Sequence, residues 1–131
     1  ITKEVLKNIN TLRDYGYLGP VLVISNRPTY KKHVFEIFNE YGSIGEGINQ
    51  YAKKYLNDSL ETLKKQDTNA ADFYKNNNIY YYSLVDTLCD IEQCRILYNG
   101  MPLYYDNGHL TLSGVNFIGS GLVEFIKNKT K

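Results

Sequence analysis

The sequence predicts a layered α/β domain, and three observations carry that expectation. Helical stripes alternate with short apolar runs, the run Val21-Leu22-Val23-Ile24 is apolar throughout, and no repeat or low-complexity segment interrupts the alternation. A β-branched run with no polar face has nothing to offer water, so it reads as a strand buried on both faces, hence central and parallel. The length of 131 residues suits one core or part of one, since domains typically run to roughly 100–150 residues.

Taken in order, residues 2 to 15 place Val5, Ile9, Leu12 and Tyr15 at helical intervals, and Gly16 with Gly19-Pro20 stops the helix. The apolar strand follows, bounded by Pro20 and by Ser25-Asn26-Arg27-Pro28. From Lys31 to Tyr41, Val34, Phe35, Ile37 and Phe38 form a second helical face that ends at Gly42. Residues 48 to 66 repeat the pattern, Asp67 to Asn69 supply a break, and Ala70 to Tyr74 make a short helix. Ile79 to Tyr82 has strand composition. Arg95–Tyr98 and Met101–Tyr105 are joined by Asn99-Gly100, the dipeptide suited to a tight turn whose central residues both need positive φ. Thr111 is a good N-cap for a last helix over Ser113 to Lys127, with Val115, Ile118, Leu122 and Ile126 on one face.

Charge and hydropathy narrow the function. With 15 basic and 14 acidic residues the formal charge is +1, and the basic residues are scattered, which gives no electrostatic case for a nucleic-acid partner. No apolar run approaches the ~20 residues needed to cross a bilayer, and no signal peptide opens the chain. The sequence starts at Ile1 with a helical pattern already under way, so a fragment of a longer protein is expected.

Several motifs carry little. Gly42-Ser43-Ile44-Gly45-Glu46-Gly47 has neither the spacing of a phosphate cradle nor that of a nucleophile elbow, and reads as a loop between helices. His33 has no acidic or cysteine neighbour at ligand spacing and reads as a surface or packing residue. The two cysteines, Cys89 and Cys94, are close enough for a disulfide, but two free thiols or a metal pair fit the spacing as well. Asp106 and His109 are different in kind: one short segment running into a capped helix presents a base and a carboxylate able to orient it. The same Asp-Asn-Gly is also good turn chemistry, and spacing alone leaves both readings open.

The wider string changes the weighing. Residues 94 to 111, Cys-Arg-Ile-Leu-Tyr-Asn-Gly-Met-Pro-Leu-Tyr-Tyr-Asp-Asn-Gly-His-Leu-Thr, with Gly114 beyond, resemble the end of the SGNH domain fused to membrane-bound family 3 acyltransferases, enzymes that O-acetylate bacterial surface glycans. Residues 21 to 30 look like a conserved strand of that family and its polar exit. The resemblance implies an SGNH hydrolase-like, three-layer α/β/α fold with a flavodoxin-like parallel sheet, of which residues 1–131 are the C-terminal portion, incomplete at the N-terminus. It also implies a Ser-His-Asp triad with His109 as base and Asp106 as its partner.

Neither the family's G-D-S block nor the usual G-x-N-D block is present, so the serine is expected outside these residues, which alone should transfer little acyl group. Asn26 is a candidate oxyanion donor and Arg27 a candidate substrate contact, with a structural cap of the loop as the competing role for both. The resemblance further implies a Cys89–Cys94 disulfide in an oxidising compartment. The expected setting is the periplasmic or cell-surface side of a membrane. There the glycan is the acceptor, no cofactor is held, and the acyl group comes ultimately from acetyl-CoA through a membrane acyltransferase domain of the same polypeptide. A glycan O-acyl esterase and a non-catalytic glycan-binding module are the alternatives.

Overall fold

The computed structural model describes residues 1–129, and α/β layering is what it shows. Helix α1 (Thr2–Asp14) precedes strand β1 (Leu22–Ile24), helices α2 (Val34–Tyr41), α3 (Gly47–Ala52) and α4 (Leu60–Asn76), and strand β2 (Tyr80–Tyr82). Helix α5 (Leu84–Leu88), the hairpin of β3 (Leu97–Tyr98) and β4 (Met101–Pro102), and α6 (Leu112–Lys129) complete the order. Strands β1 and β2 pair in parallel with Leu22 opposite Tyr80 and Ile24 opposite Tyr82. Strand residues alternate between faces. Val21, Val23, Ile79 and Tyr81 accordingly pack with Ile9 of α1 and Tyr74 of α4, while Tyr82, on the opposite face, meets Phe125 of α6 with ring centroids 5.4 Å apart.

Several expectations need correcting. The first strand is parallel, but it is not buried on both faces: its residues are half-buried and Ile24 is 46% exposed. Among the described residues β1 pairs with β2 alone, and α6 covers only part of the even-numbered face. The second helix begins at Val34 because Tyr30 bridges to Leu56 and the Lys31 N–H bonds the Tyr55 carbonyl at 2.7 Å, which keeps residues 30 and 31 out of the helix.

The break expected at Asp67 to Asn69 lies instead at residues 56 to 59. Ser59 caps α4 by accepting the Thr62 N–H at 3.1 Å, and the helix then runs unbroken. An aspartate weakens a helix by competing for nearby backbone donors. Asp67 cannot, because both its oxygens are taken by hydroxyls of Tyr81 and Ser83. Helix α5 has no counterpart in the periodicity, since five residues make fewer than two turns; the Ser83 side chain caps it through the Asp86 N–H.

The hairpin turn is as expected, with φ of 50° at Asn99 and 73° at Gly100. Cys89 and Cys94 form a disulfide at the approach to it. Buried Asn49 ties α3 to the hairpin: its Oδ1 accepts the N–H groups of Ile96 and Leu97 at 2.8 and 3.0 Å, and its Nδ2 donates to the Leu97 carbonyl at 3.2 Å. Thr111 caps α6 by accepting the Gly114 N–H at 3.0 Å. The packed face of that helix only partly matches the expected one: Ile118 meets the core and Leu122 is half-buried, whereas Val115 and Ile126 are exposed and Phe117 packs in their stead. Gly114 sets the rotation: a Cβ there would lie 2.2 Å from the Leu103 carbonyl oxygen, so the backbones approach as only glycine permits. Among the described residues no helix is long and apolar enough to cross a membrane.

Candidate active site

The segment between β4 and α6 is held at both ends. Tyr104 and Leu110 form an isolated antiparallel bridge, the Tyr105 N–H bonds the His109 carbonyl at 3.0 Å, and the Thr111 N–H bonds the Leu103 carbonyl at 3.0 Å. Residues 105 to 109 therefore form a closed loop, and its outline is drawn by Asp106. One carboxylate oxygen, Oδ1, accepts the N–H groups of Gly108 and His109 at 2.8 and 2.6 Å. The other, Oδ2, lies 2.7 Å from His109 Nδ1. A carboxylate that receives donors on both oxygens is stabilised in its charged form. The backbone N–H groups of Gly108 and His109, in that order, and then the imidazole hold Asp106 at a pKa of about 2.

The turn and the pairing are thus one arrangement: the carboxylate that shapes the loop also fixes the ring. With Nδ1 as the donor to an ionised Asp106, the neutral imidazole carries its lone pair on Nε2, the tautomer a general base requires. The ring stacks on Tyr105, centroids 5.7 Å apart and planes 16° apart, while the His109 side chain remains 64% exposed and Asp106 only 24%. No serine hydroxyl among the described residues bonds the ring.

The exit of β1 packs along this loop. The Tyr30 N–H donates to the Asn107 carbonyl at 2.8 Å, the Val34 N–H to that of Asp106 at 3.4 Å, and the Tyr104 hydroxyl to the Pro28 carbonyl at 2.9 Å. Arg27 Nε donates to the Gly108 carbonyl. A cleft of about 530 Å³ opens beside it, lined by Ser25, Asn26, Arg27, Thr29 and, from α4, Gln66 and Asp67. His109 is not part of that lining; Arg27 and Thr29 stand between the cleft and the loop, and Thr29 would be 3.2 Å from a Cβ on Gly108. Asn26 is exposed at the cleft and its carbonyl accepts the Ser25 hydroxyl at 3.1 Å.

The structure therefore brings Asp106, His109 and Arg27 together, places Asn26 one residue away on the cleft, and leaves the Cys89–Cys94 disulfide at the hairpin. Three features escaped the sequence reading. The Tyr105 stack was signalled only by adjacency. The Arg27 bond spans 81 positions, and buried Asp67 in the cleft wall accepts Tyr81 and Ser83 at 2.6 Å each; no local pattern marks either. Burial first, and then the bond to Asp67, raises the Tyr81 hydroxyl pKa. No group of three or more His, Cys, Asp or Glu side chains among the described residues is placed to hold a metal ion.

With that geometry in view, the family model described as an SGNH domain (fused to AT3 domains) matches residues 2–123. Among solved structures, the periplasmic domain of a lipopolysaccharide acetyltransferase from Salmonella ser. Paratyphi A is similar in fold, with a TM-score of 0.61 at 19% identity over 93% of this chain. The match covers 50% of that structure, so the chain spans about half its length. A search of curated proteins returned no match.

Proposed function

The chain belongs to the family of SGNH domains fused to AT3 domains, and from that premise we propose that it carries the base of an acyl-transfer site that moves an acetyl group to a hydroxyl of a cell-surface glycan. One observation carries the reading: Asp106 holds His109 through Nδ1 at 2.7 Å, with the ring well exposed. His109 Nε2 takes the proton of a serine hydroxyl as that oxygen attacks the acyl carbonyl, and returns it to the leaving group as the acyl-enzyme forms. In the second half-reaction it takes the proton of the glycan hydroxyl and gives it back to the serine as the acetyl ester of the sugar is released.

The serine is supplied from outside residues 1–131, so these residues by themselves transfer little acyl group. Asn26, exposed at the neighbouring strand exit, is the candidate donor to the oxyanion, and Arg27 borders the same cleft. The acyl group arrives, in this reading, through a membrane acyltransferase domain of the same polypeptide and ultimately from acetyl-CoA, on the extracytoplasmic side of the membrane. The family's fusion to AT3 domains supports that arrangement.

Replacing His109 by Ala in the intact polypeptide tests the proposal. Glycan O-acetyl content, read by proton NMR of the purified polysaccharide, falls to background while the protein accumulates normally; unchanged acetylation rejects the role. The exposure of His109 equally suits attack by water, which would make the site an esterase. Partition of a labelled acetyl group between water and oligosaccharide separates the two.

A further inference from the structure

The peptide group between Gly108 and His109 is engaged at both ends. Its carbonyl oxygen accepts a hydrogen bond from Arg27 Nε, and its N–H donates to Asp106 Oδ1 at 2.6 Å, while Asp106 Oδ2 meets His109 Nδ1 at 2.7 Å. Guanidinium, peptide, carboxylate and imidazole thus form one unbroken chain of hydrogen bonds. We propose that Arg27 is a positioning residue for the base, acting on the His109–Asp106 pair through the Gly108–His109 peptide. The proposal rests on the reading of His109 as a base and adds a residue that reading does not require.

Three physical points support it. Hydrogen bonds in series polarise one another, so a permanent cation on the carbonyl makes the N–H of the same peptide a stronger donor to the carboxylate. Gly108 is buried against Thr29, where its carbonyl depends on a protein partner, and Arg27 provides that partner. Arg27 is itself well fixed. The residue after it, Pro28, is fully buried and its carbonyl takes the Tyr104 hydroxyl at 2.9 Å, two residues before Asp106. The segment from Arg27 to Val34 therefore clasps the loop at Gly108, Asn107 and Asp106 in turn, with the cation at the end nearest His109. A guanidinium suits this position because it stays protonated at any working pH and its Nε–H has a fixed direction.

The test uses the intact polypeptide and compares Arg27→Ala and Arg27→Gln with His109→Ala. For Arg27→Ala the expected result is a fall in kcat of about 10²-fold, the cost of a small misplacement of a reacting group, with KM for the glycan changed by less than about twofold. Guanidinium ion added in solution restores part of the rate. The downfield proton signal of His109 Nδ1–H, present in the parent, broadens or shifts upfield. Should Arg27→Ala fail to fold, Arg27→Gln carries the test, since its amide can still donate to the Gly108 carbonyl without the charge, and a fall in kcat with KM held is again expected. A kcat unchanged in the folded variant overturns the proposal, and so does a loss expressed wholly in KM, which would make Arg27 a substrate contact. If His109→Ala is itself active, the reading of the base fails; if it is inactive while Arg27→Ala has parental kcat, only the positioning role fails.

Discussion

The two sides of the molecule are built to different standards. Around the loop and the hairpin, Tyr30, Val34, Ile37, Ile48, Ile96, Leu97, Leu103 and Tyr104 are at most 1% exposed and lie in one continuous core. On the side of α1, the parallel strands and α4, only Ile9, Tyr74 and Ile79 among the described residues form the buried apolar centre, and Leu12 and Ile24 are each 46% exposed. A carboxylate can hold an imidazole in one tautomer only if the backbone that carries both is fixed, and the dense side supplies that. The thin side contributes Asn26 and Arg27 at its strand exit, and Arg27 reaches across to the loop.

That contrast can be broken or sharpened by perturbing each side in turn. Asn49→Ala, on the dense side, strands the N–H groups of Ile96 and Leu97 and the Leu97 carbonyl in the interior, and should cost about 4 kcal/mol in urea unfolding, at about 1–3 kcal/mol for each buried group left unpaired. Reducing the Cys89–Cys94 disulfide releases a short loop on the same side. The expected loss is about 2 kcal/mol from the entropy returned to the unfolded chain, measured by the same titration with and without reductant. On the thin side, Ile24→Ala removes a side chain already half in water and should cost about 1 kcal/mol. A loss there equal to that of Asn49→Ala would erase the contrast.

The smallest effect concerns pH. Asp106 has its pKa lowered on folding from 3.8 to about 2, so its loop bonds stabilise the fold fully above that ordinary value. Their contribution fades as pH falls through about 2, when the carboxylate protonates in the folded state as well. Thermal melts between pH 5 and pH 2 should therefore show the parent losing its advantage over Asp106→Asn; parallel curves would mean that the carboxylate adds nothing to loop stability.

What could be read from the sequence follows how local each interaction is. Asn99-Gly100 announces its turn because positive φ is a property of those two residues; Asp106 and His109, three positions apart, could be singled out, but spacing alone left a plain turn open and the resemblance of residues 94 to 111 weighted the pair. Interactions across the fold leave no such trace. Asn49 binds the hairpin over 47 and 48 positions, and nothing beside it in the sequence marks it as a buried strut. Asp67 looked like a helix breaker because its partners, Tyr81 and Ser83, belong to another element. The face of α6 was legible at Ile118 and Leu122 but not at Val115 and Ile126, because close approach at Gly114, a tertiary fact, turns part of the hydrophobic stripe outward. Arg27 could be singled out at a strand exit, yet its engagement with Gly108 depends on how residues 27 to 34 pack along the loop.

The most direct measurement is the acetyl-transfer rate of Asp106→Asn in the intact polypeptide, set beside its melting temperature near neutral pH. An asparagine keeps an oxygen for the Gly108 and His109 N–H groups, so the turn survives, but it presents an NH₂ to His109 Nδ1 and drives the proton to Nε2, where a base must be bare. The account predicts a rate reduced about 10⁴-fold in a protein that remains folded and melts only modestly below the parent. A variant that folds and transfers acetyl at the parental rate would contradict it.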